Sequence, residues 1–362
     1  MLLQTQLPVS MSQKLNHTCL ICRFLVIFML FWLPATSQYN FDDLTARLQR
    51  SQKQLGNNAI TLVFKDDSLI YKKEMGEEFT AKTSAPIATS GQWLAAATIM
   101  TFVDQGKLEL DDPVSKYLPI FTKYAKGYLT IRHCLSNTTG IESEKGKLGK
   151  IIGGRKKFST LEDEVNAIAA KEISNNPEKE FHYGNLGINI AARVVEVIGK
   201  KSFDRLAQER ITRPLKMRAT SFTDENGGAI NPALGARSSA NDYLNFLIMI
   251  MNNGKFDGKQ VISENSLQEM QKQQFVGLPV AFKPVEATGF DFGLGNWIEA
   301  KDSEEKTTVI GFPGSTGTWA VVDKCRKYAA IIFVKNAADD IPQKVYLDLK
   351  AAIDEQVKSS CN

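Results

Sequence analysis

From Gly91 to Gln105 the chain reads Gly-Gln-Trp-Leu-Ala-Ala-Ala-Thr-Ile-Met-Thr-Phe-Val-Asp-Gln. Leu94, Ala97, Ile99, Met100, Phe102 and Val103 spread round every side of a helical wheel. A helix that is apolar all round has no face to offer water, so it is enclosed by the rest of the protein. Gly106 ends it. The segment before it, Ile87-Ala88-Thr89-Ser90, reads as a strand-to-helix junction, so Thr89 and Ser90 stand at the mouth of a buried helix.

The rest of the pattern supplies the enclosure. Asn40 to Leu55 has apolar residues at Phe41, Leu44, Leu48 and Leu55, the spacing of an amphipathic helix. Ala59–Phe64 and Ser68–Tyr71 read as strands joined by a turn at Lys65-Asp66-Asp67. Asp111-Asp112-Pro113 opens a further helix. The middle, from about Ile141 to Met217, is mainly helical, with Leu186–Ile198 its strongest helix. Residues 240–253 and 263–273 are also helical in pattern. The last third changes to β-like runs at 290–299, 307–312, 318–323 and 328–336, closed by an amphipathic helix over 341–357. Strands at both ends and helices between them imply an α+β fold. The terminal strands form one antiparallel sheet flanked by terminal helices, and a mainly helical lobe is inserted on its face.

The first 37 residues read as a signal peptide. Lys14, His17 and Arg23 form a basic region, Phe24–Leu33 is an uncharged apolar run, and Ala35-Thr36-Ser37 offers a cut before Gln38. The apolar run is shorter than the roughly 20 residues of a membrane span. The expectation is a secreted or periplasmic domain over residues 38–362, with no stable membrane span; an uncleaved anchor is the alternative. Export places the mature chain in an oxidising compartment. Cys134, Cys325 and Cys361 then remain, and an odd number leaves at least one thiol unpaired. Cys134 and Cys325 read as small core residues, and Cys361 as exposed near the C-terminus. The net charge of +4 is small for 362 residues, and the short Arg155-Lys156-Lys157 cluster is a solvated surface, so nucleic acid is not an expected partner. Three His residues in the whole chain, and no Cys/His spacing for zinc, leave no metal or cofactor implied. Asn137-Thr-Thr139 is a glycosylation sequon, of consequence only in a eukaryotic host.

From about Phe41 to Val357 the chain resembles the β-lactamase-related serine hydrolases, which include class C β-lactamases, D-alanyl-D-alanine carboxypeptidases and esterases. The resemblance rests on Ile87 to Pro119, with Thr89-Ser-Gly-Gln92 at the family's Ser-x-x-Lys motif. It continues in Leu129–Ile141, in Tyr183-Gly-Asn185 at the Tyr-x-Asn motif, in Ile211–Met217, and in Gly311–Gly317 where the family has Lys-Thr-Gly or His-x-Gly. Function lives in the site and not in the fold.

The resemblance implies that Thr89 takes the place of the nucleophilic Ser. A Thr hydroxyl can attack, but its methyl group restricts χ1; the alternative is a helix-start Thr bonded to backbone amides. Ser90 is one position out of register, and Trp93 stands where its Lys would be. Gln92 replaces the family Lys and carries no ionisable group. Tyr183 would be the base in the class C pattern, yet an ordinary phenol titrates near pH 10 and needs cationic neighbours to lower it. Phe312 replaces the third-motif cation. The backbone N–H groups of Thr89 and Ser315 match the oxyanion hole, and Phe312, Gly314 and Trp319 are expected to line an apolar cleft. Three functions fit this set. The first is a catalytically impaired member that binds a small acyl, ester or peptide ligand in the cleft. The second is an active esterase or peptidase using Thr89, or Ser90, with Tyr183. The third is a structural or partner-binding protein.

Overall fold

The computed structural model describes residues 39–141, 158–223, 229–336 and 341–361. The signal segment and Arg155-Lys156-Lys157 lie outside the described residues. The chain divides into two units, Met1–Asn40 and Phe41–Asn362, and the helices and strands of the described residues belong to the second.

Helix α1 (Asp42–Arg50) leads to β1 (Ala59–Lys65) and β2 (Ser68–Met75). The apolar helix is α2 (Gly91–Asp104), and α3 (Ile131–Leu135) comes after it. The lobe contributes β3 (Phe181–His182), α4 (Leu186–Gly199) and α5 (Phe203–Ala207), then α6 (Ala240–Met251). The last third holds β4 (Val280–Phe282), β5 (Asp291–Phe292), β6 (Trp297–Lys301), β7 (Thr307–Pro313), β8 (Trp319–Asp323), β9 (Tyr328–Val334) and α7 (Gln343–Gln356). One seven-stranded sheet runs β2-β1-β9-β8-β7-β6-β5. Its pairs are antiparallel, and β1 and β9 join the two ends of the chain with Ala59 opposite Val334. The α+β architecture expected from the sequence is the one observed.

Both faces of the sheet are covered, so β8 and β9 are buried at every position. On the inner face Leu62, Phe312, Ala320 and Ile331 join the core cluster that contains Leu94, Met100 and Phe102 of α2. Helix α6 lies between them, in contact with β1, β8 and β9. On the outer face α1 packs on α7, tied by Arg47 to Asp348 at 2.9 Å and to Glu355 at 3.1 Å.

The outer face also holds a buried carboxyl group. Glu299 accepts from the Trp319 indole N–H at 2.8 Å, while its second carboxyl oxygen is buried and has no partner among the described residues. Burial, with Asp323 and Asp354 nearby, outweighs Trp319 and Lys350 and pushes the carboxyl from 4.5 up to about 8. The folded protein therefore holds a proton that the unfolded chain releases. Its stabilising effect is full below pH 4.5 and is lost as pH rises through about 8. Glu299→Gln should flatten the decline in urea midpoint between those pH values. Equal slopes in variant and wild type would remove Glu299 as the cause.

Cys325 is not a free core thiol. It forms a disulfide with Cys361, 36 residues on, and Cys134 remains free and buried. The bond ties the C-terminal tail to the turn between β8 and β9. Ser360 completes the clasp, with its N–H at 2.7 Å and its hydroxyl at 2.6 Å from the Cys325 carbonyl. Closing a loop of this length limits the unfolded chain, so Cys361→Ser should cost about 2–4 kcal/mol in denaturant unfolding. A loss under about 0.5 kcal/mol would place the tail outside the cooperative unit.

Candidate active site

The junction before α2 is a tight turn over Ala88–Ser90. Ala88 is buried at φ 40°, a conformation that costs a residue with a Cβ about 1–2 kcal/mol and that its surroundings must impose. Gly91 is required for space, since a Cβ there would stand 2.3 Å from that of Ala236. The turn presents Thr89 to the end of β7. The Thr89 hydroxyl accepts the Ser315 N–H at 2.8 Å and donates to the Ser315 hydroxyl at 3.3 Å. It does not cap the helix. The N–H offered by the sequence as an oxyanion donor is thus occupied by the hydroxyl at the nucleophile position.

Ser90 points elsewhere. It is fully buried, its hydroxyl has no partner among the described residues, and it sits against Gly314, where a Cβ would come within 2.0 Å of it. Its carbonyl accepts the Tyr243 hydroxyl at 2.8 Å. Its hydroxyl is thus enclosed rather than presented at the mouth of the site.

In the first turn of α2, the Gln92 amide donates to the Asn185 side-chain oxygen at 3.3 Å. Asn185 and Tyr183 are brought here by β3, which is held by Asn137: the His182 N–H reaches the Asn137 carbonyl at 3.0 Å and the Gly184 N–H its side chain at 3.2 Å. Asn137 is therefore a buried structural residue, and the sequon it begins is spent on positioning β3. Tyr183 lies against Thr89, with the Trp297 ring at 5.1 Å and the Phe292 ring at 5.9 Å. Burial drives its phenol far above the ordinary range; the Thr89 hydroxyl opposes this only in part, and Glu286 adds to it.

Four residues named from the motifs, Thr89, Gln92, Tyr183 and Asn185, meet as a connected group with Ser315. Gly314 closes the wall beside Ser90, its N–H donating to the Thr318 carbonyl at 2.7 Å. Two residues expected to line the cleft do not. Phe312 is wholly buried in the inner core. Trp319 is on the opposite face: it pairs with Pro313, one step out of phase with Phe312, and its ring meets that of Tyr346 of α7 at 5.3 Å. The partners of Tyr183 that the sequence did not expose are Trp297, Phe292 and Glu286. Lys283 stands 5.8 Å from the Trp297 ring, with its amine on the Phe290 carbonyl. They arrive about a hundred residues later on short strands, and β4 pairing with β3 is the link that no periodicity announces.

The motif residues offer hydrogen bonds without charge. A Thr hydroxyl, a Gln amide, an Asn amide and a neutral phenol can hold a polar ligand group; none of them takes a proton at neutral pH.

The beta-lactamase family profile matches residues 41–352. Among curated relatives, the protein flp of Staphylococcus aureus (strain MRSA252) is 26% identical over 187 residues, 49% of this chain and 37% of that protein. The chain thus spans well under half the length of that relative. An uncharacterized protein of Mycobacterium tuberculosis (strain CDC 1551 / Oshkosh), MT1414, is 22% identical over 78% of this chain and 86% of its own. Among solved structures, a provisionally assigned beta-lactamase from Bacteroides dorei DSM 17855 superposes with a TM-score of 0.78 and 28% identity, covering 88% of this chain and 99% of that one. A penicillin-binding protein from Bacillus halodurans has a TM-score of 0.67 at 17% identity, covering 86% and 98%, a likeness of fold alone. With the motif positions gathered at one site and the family profile running through nearly the whole described unit, the chain belongs to the beta-lactamase family.

Proposed function

We propose that this protein is an exported beta-lactamase-fold member whose catalytic set is disabled, and that it binds a small acyl, ester or peptide ligand without turning it over. One observation carries the reading: Tyr183 is buried beside Thr89 with its phenol pushed up rather than down. A general base has to be partly deprotonated at working pH. Burial and Glu286 act against that, and Gln92, at the place of the motif cation, is neutral.

Other features support it. Attack by Thr89 would require its hydroxyl to leave the Ser315 N–H that it occupies. Ligand binding is supported by the mouth of the site, where Asn185, Ser315 and Thr316 are half-exposed and Val280 and Val285 leave apolar surface on the neighbouring segment. Export is supported by the Cys325–Cys361 disulfide, which persists in oxidising compartments.

The test combines two readouts on the full chain. Intact-mass measurement after incubation with a fluorescent penicillin should show no covalent gain. Anisotropy of a fluorescein-labelled acyl-D-alanyl-D-alanine should show saturable binding, weakened by Asn185→Ala. A mass gain that disappears in Thr89→Ala would overturn the disabled set. Absence of saturable binding would remove the ligand and leave a protein-partner role.

A further inference from the structure

A second site lies on the helical lobe, away from the motif residues. Just after α5 the chain makes a π-helical turn over Gln208–Thr212, with the Arg213 N–H bonded back to the Gln208 carbonyl at 3.0 Å. Such turns are rare and are frequently found at functional sites. Here the turn feeds a loop in which Lys216 takes φ 57° and the Met217 N–H reaches the Thr212 carbonyl at 2.7 Å. The loop borders an open cavity of about 470 Å³ lined by Gln208, Thr212, Arg213, Lys216, Met217, Arg218 and Thr220. That volume falls in the range of about 300–1,000 Å³ usual for small-molecule sites.

Three of these seven residues are cationic and none is acidic. The neighbouring cations are engaged. Arg205 and Lys201 hold Glu209, and Arg210 stacks on Phe102 at 3.8 Å while bonding Thr101 and Gln105. Lys216 pairs with Asp257. Arg213 and Arg218 are exposed, and neither has an ion pair or side-chain hydrogen bond among the described residues. Two free guanidinium forks facing one cavity cannot be neutralised by a single carboxylate. An anion with three or more acceptor oxygens and more than one charge suits them better, which is the chemistry of phosphate.

We infer that the open cavity lined by residues 208–220 binds a phosphate-bearing anion through Arg213 and Arg218. The anion is either a soluble organic phosphate or the headgroup of an anionic lipid, and the two sources share this chemistry.

The full chain is titrated calorimetrically with inorganic pyrophosphate at low salt, and is floated with vesicles of phosphatidylglycerol in phosphatidylcholine. Two double variants accompany it. Arg213→Gln/Arg218→Gln removes the forks. Lys53→Gln/Lys82→Gln removes the same charge from exposed positions elsewhere. Both are checked for folding by circular dichroism. Saturable pyrophosphate binding, weakened roughly tenfold or more by the arginine pair and unchanged by the lysine pair, is the expected result. Binding to the vesicles alone, lost with the same arginines, assigns the site to a headgroup. Equal weakening in both double variants, equal affinity in all three proteins, or no saturable binding to either probe would overturn the inference.

Discussion

Replacing Thr89 by Ser and Gln92 by Lys together should raise ester hydrolysis by on the order of 10²–10⁴-fold over the wild type. The reasoning starts from what each change does at the site. Ser removes the methyl group that fixes χ1 and lets the hydroxyl rotate off the Ser315 N–H, which then becomes free for an oxyanion. Lys at position 92 falls where Gln92 now meets Asn185 at 3.3 Å, so its amine inherits one acceptor in an otherwise buried place. A cation there lowers the Tyr183 phenol toward working pH, and a neutral amine there is itself a base beside the hydroxyl. The gain should be lost again when Tyr183→Phe is added. Phe312 is left alone: it is wholly buried in the inner core, and an imidazole in its place would lose packing and bury a polar ring. The measurement is the initial rate of p-nitrophenyl butyrate hydrolysis, with circular dichroism to show an intact fold. An intact double variant as slow as the wild type would mean that more than charge has been lost.

Trp297→Ala should be among the most damaging single changes, about 3–5 kcal/mol in urea unfolding. The side chain is fully buried and touches the rings of Phe181 at 6.1 Å, Tyr183 at 5.1 Å and Phe292 at 4.7 Å. It is the floor on which β3 carries Tyr183 to Thr89. Truncation leaves a cavity among aromatic rings that cannot collapse without moving β5 or β6. Trp297→Phe separates packing from polarity. The indole N–H is buried without an acceptor among the described residues, so the smaller ring loses volume but also removes an unsatisfied donor. Its cost should be under about 1.5 kcal/mol. Equal losses in the two variants would show that ring packing is not what holds this region.

The order of elements was legible because α2, α4 and the four late strands have strong and different periods. The motif residues were legible through the family pattern, and Thr89, Gln92, Tyr183, Asn185 and Ser315 do converge. The side of the sheet on which a residue falls was not legible in β7 and β8. A sheet covered on both faces has no polar alternation to mark inside from outside. Trp319 and Phe312 are both apolar in the sequence, and only the register that puts Trp319 opposite Pro313 sends them to different faces. The disulfide was hidden for a related reason: spacing says nothing about which cysteines come within bonding distance. The environment that decides the fate of Tyr183 comes from residues 283–297, joined to it through two-residue and three-residue strands too short to leave a pattern.

The most direct test of the central claim compares the wild-type protein with Thr89→Ala on p-nitrophenyl butyrate and on nitrocefin at neutral pH. A site whose hydroxyl is held by Ser315 and whose phenol stays protonated should give the two proteins the same rate, that of buffer alone. Turnover by the wild type that Thr89→Ala abolishes would contradict the account and make Thr89 a working nucleophile.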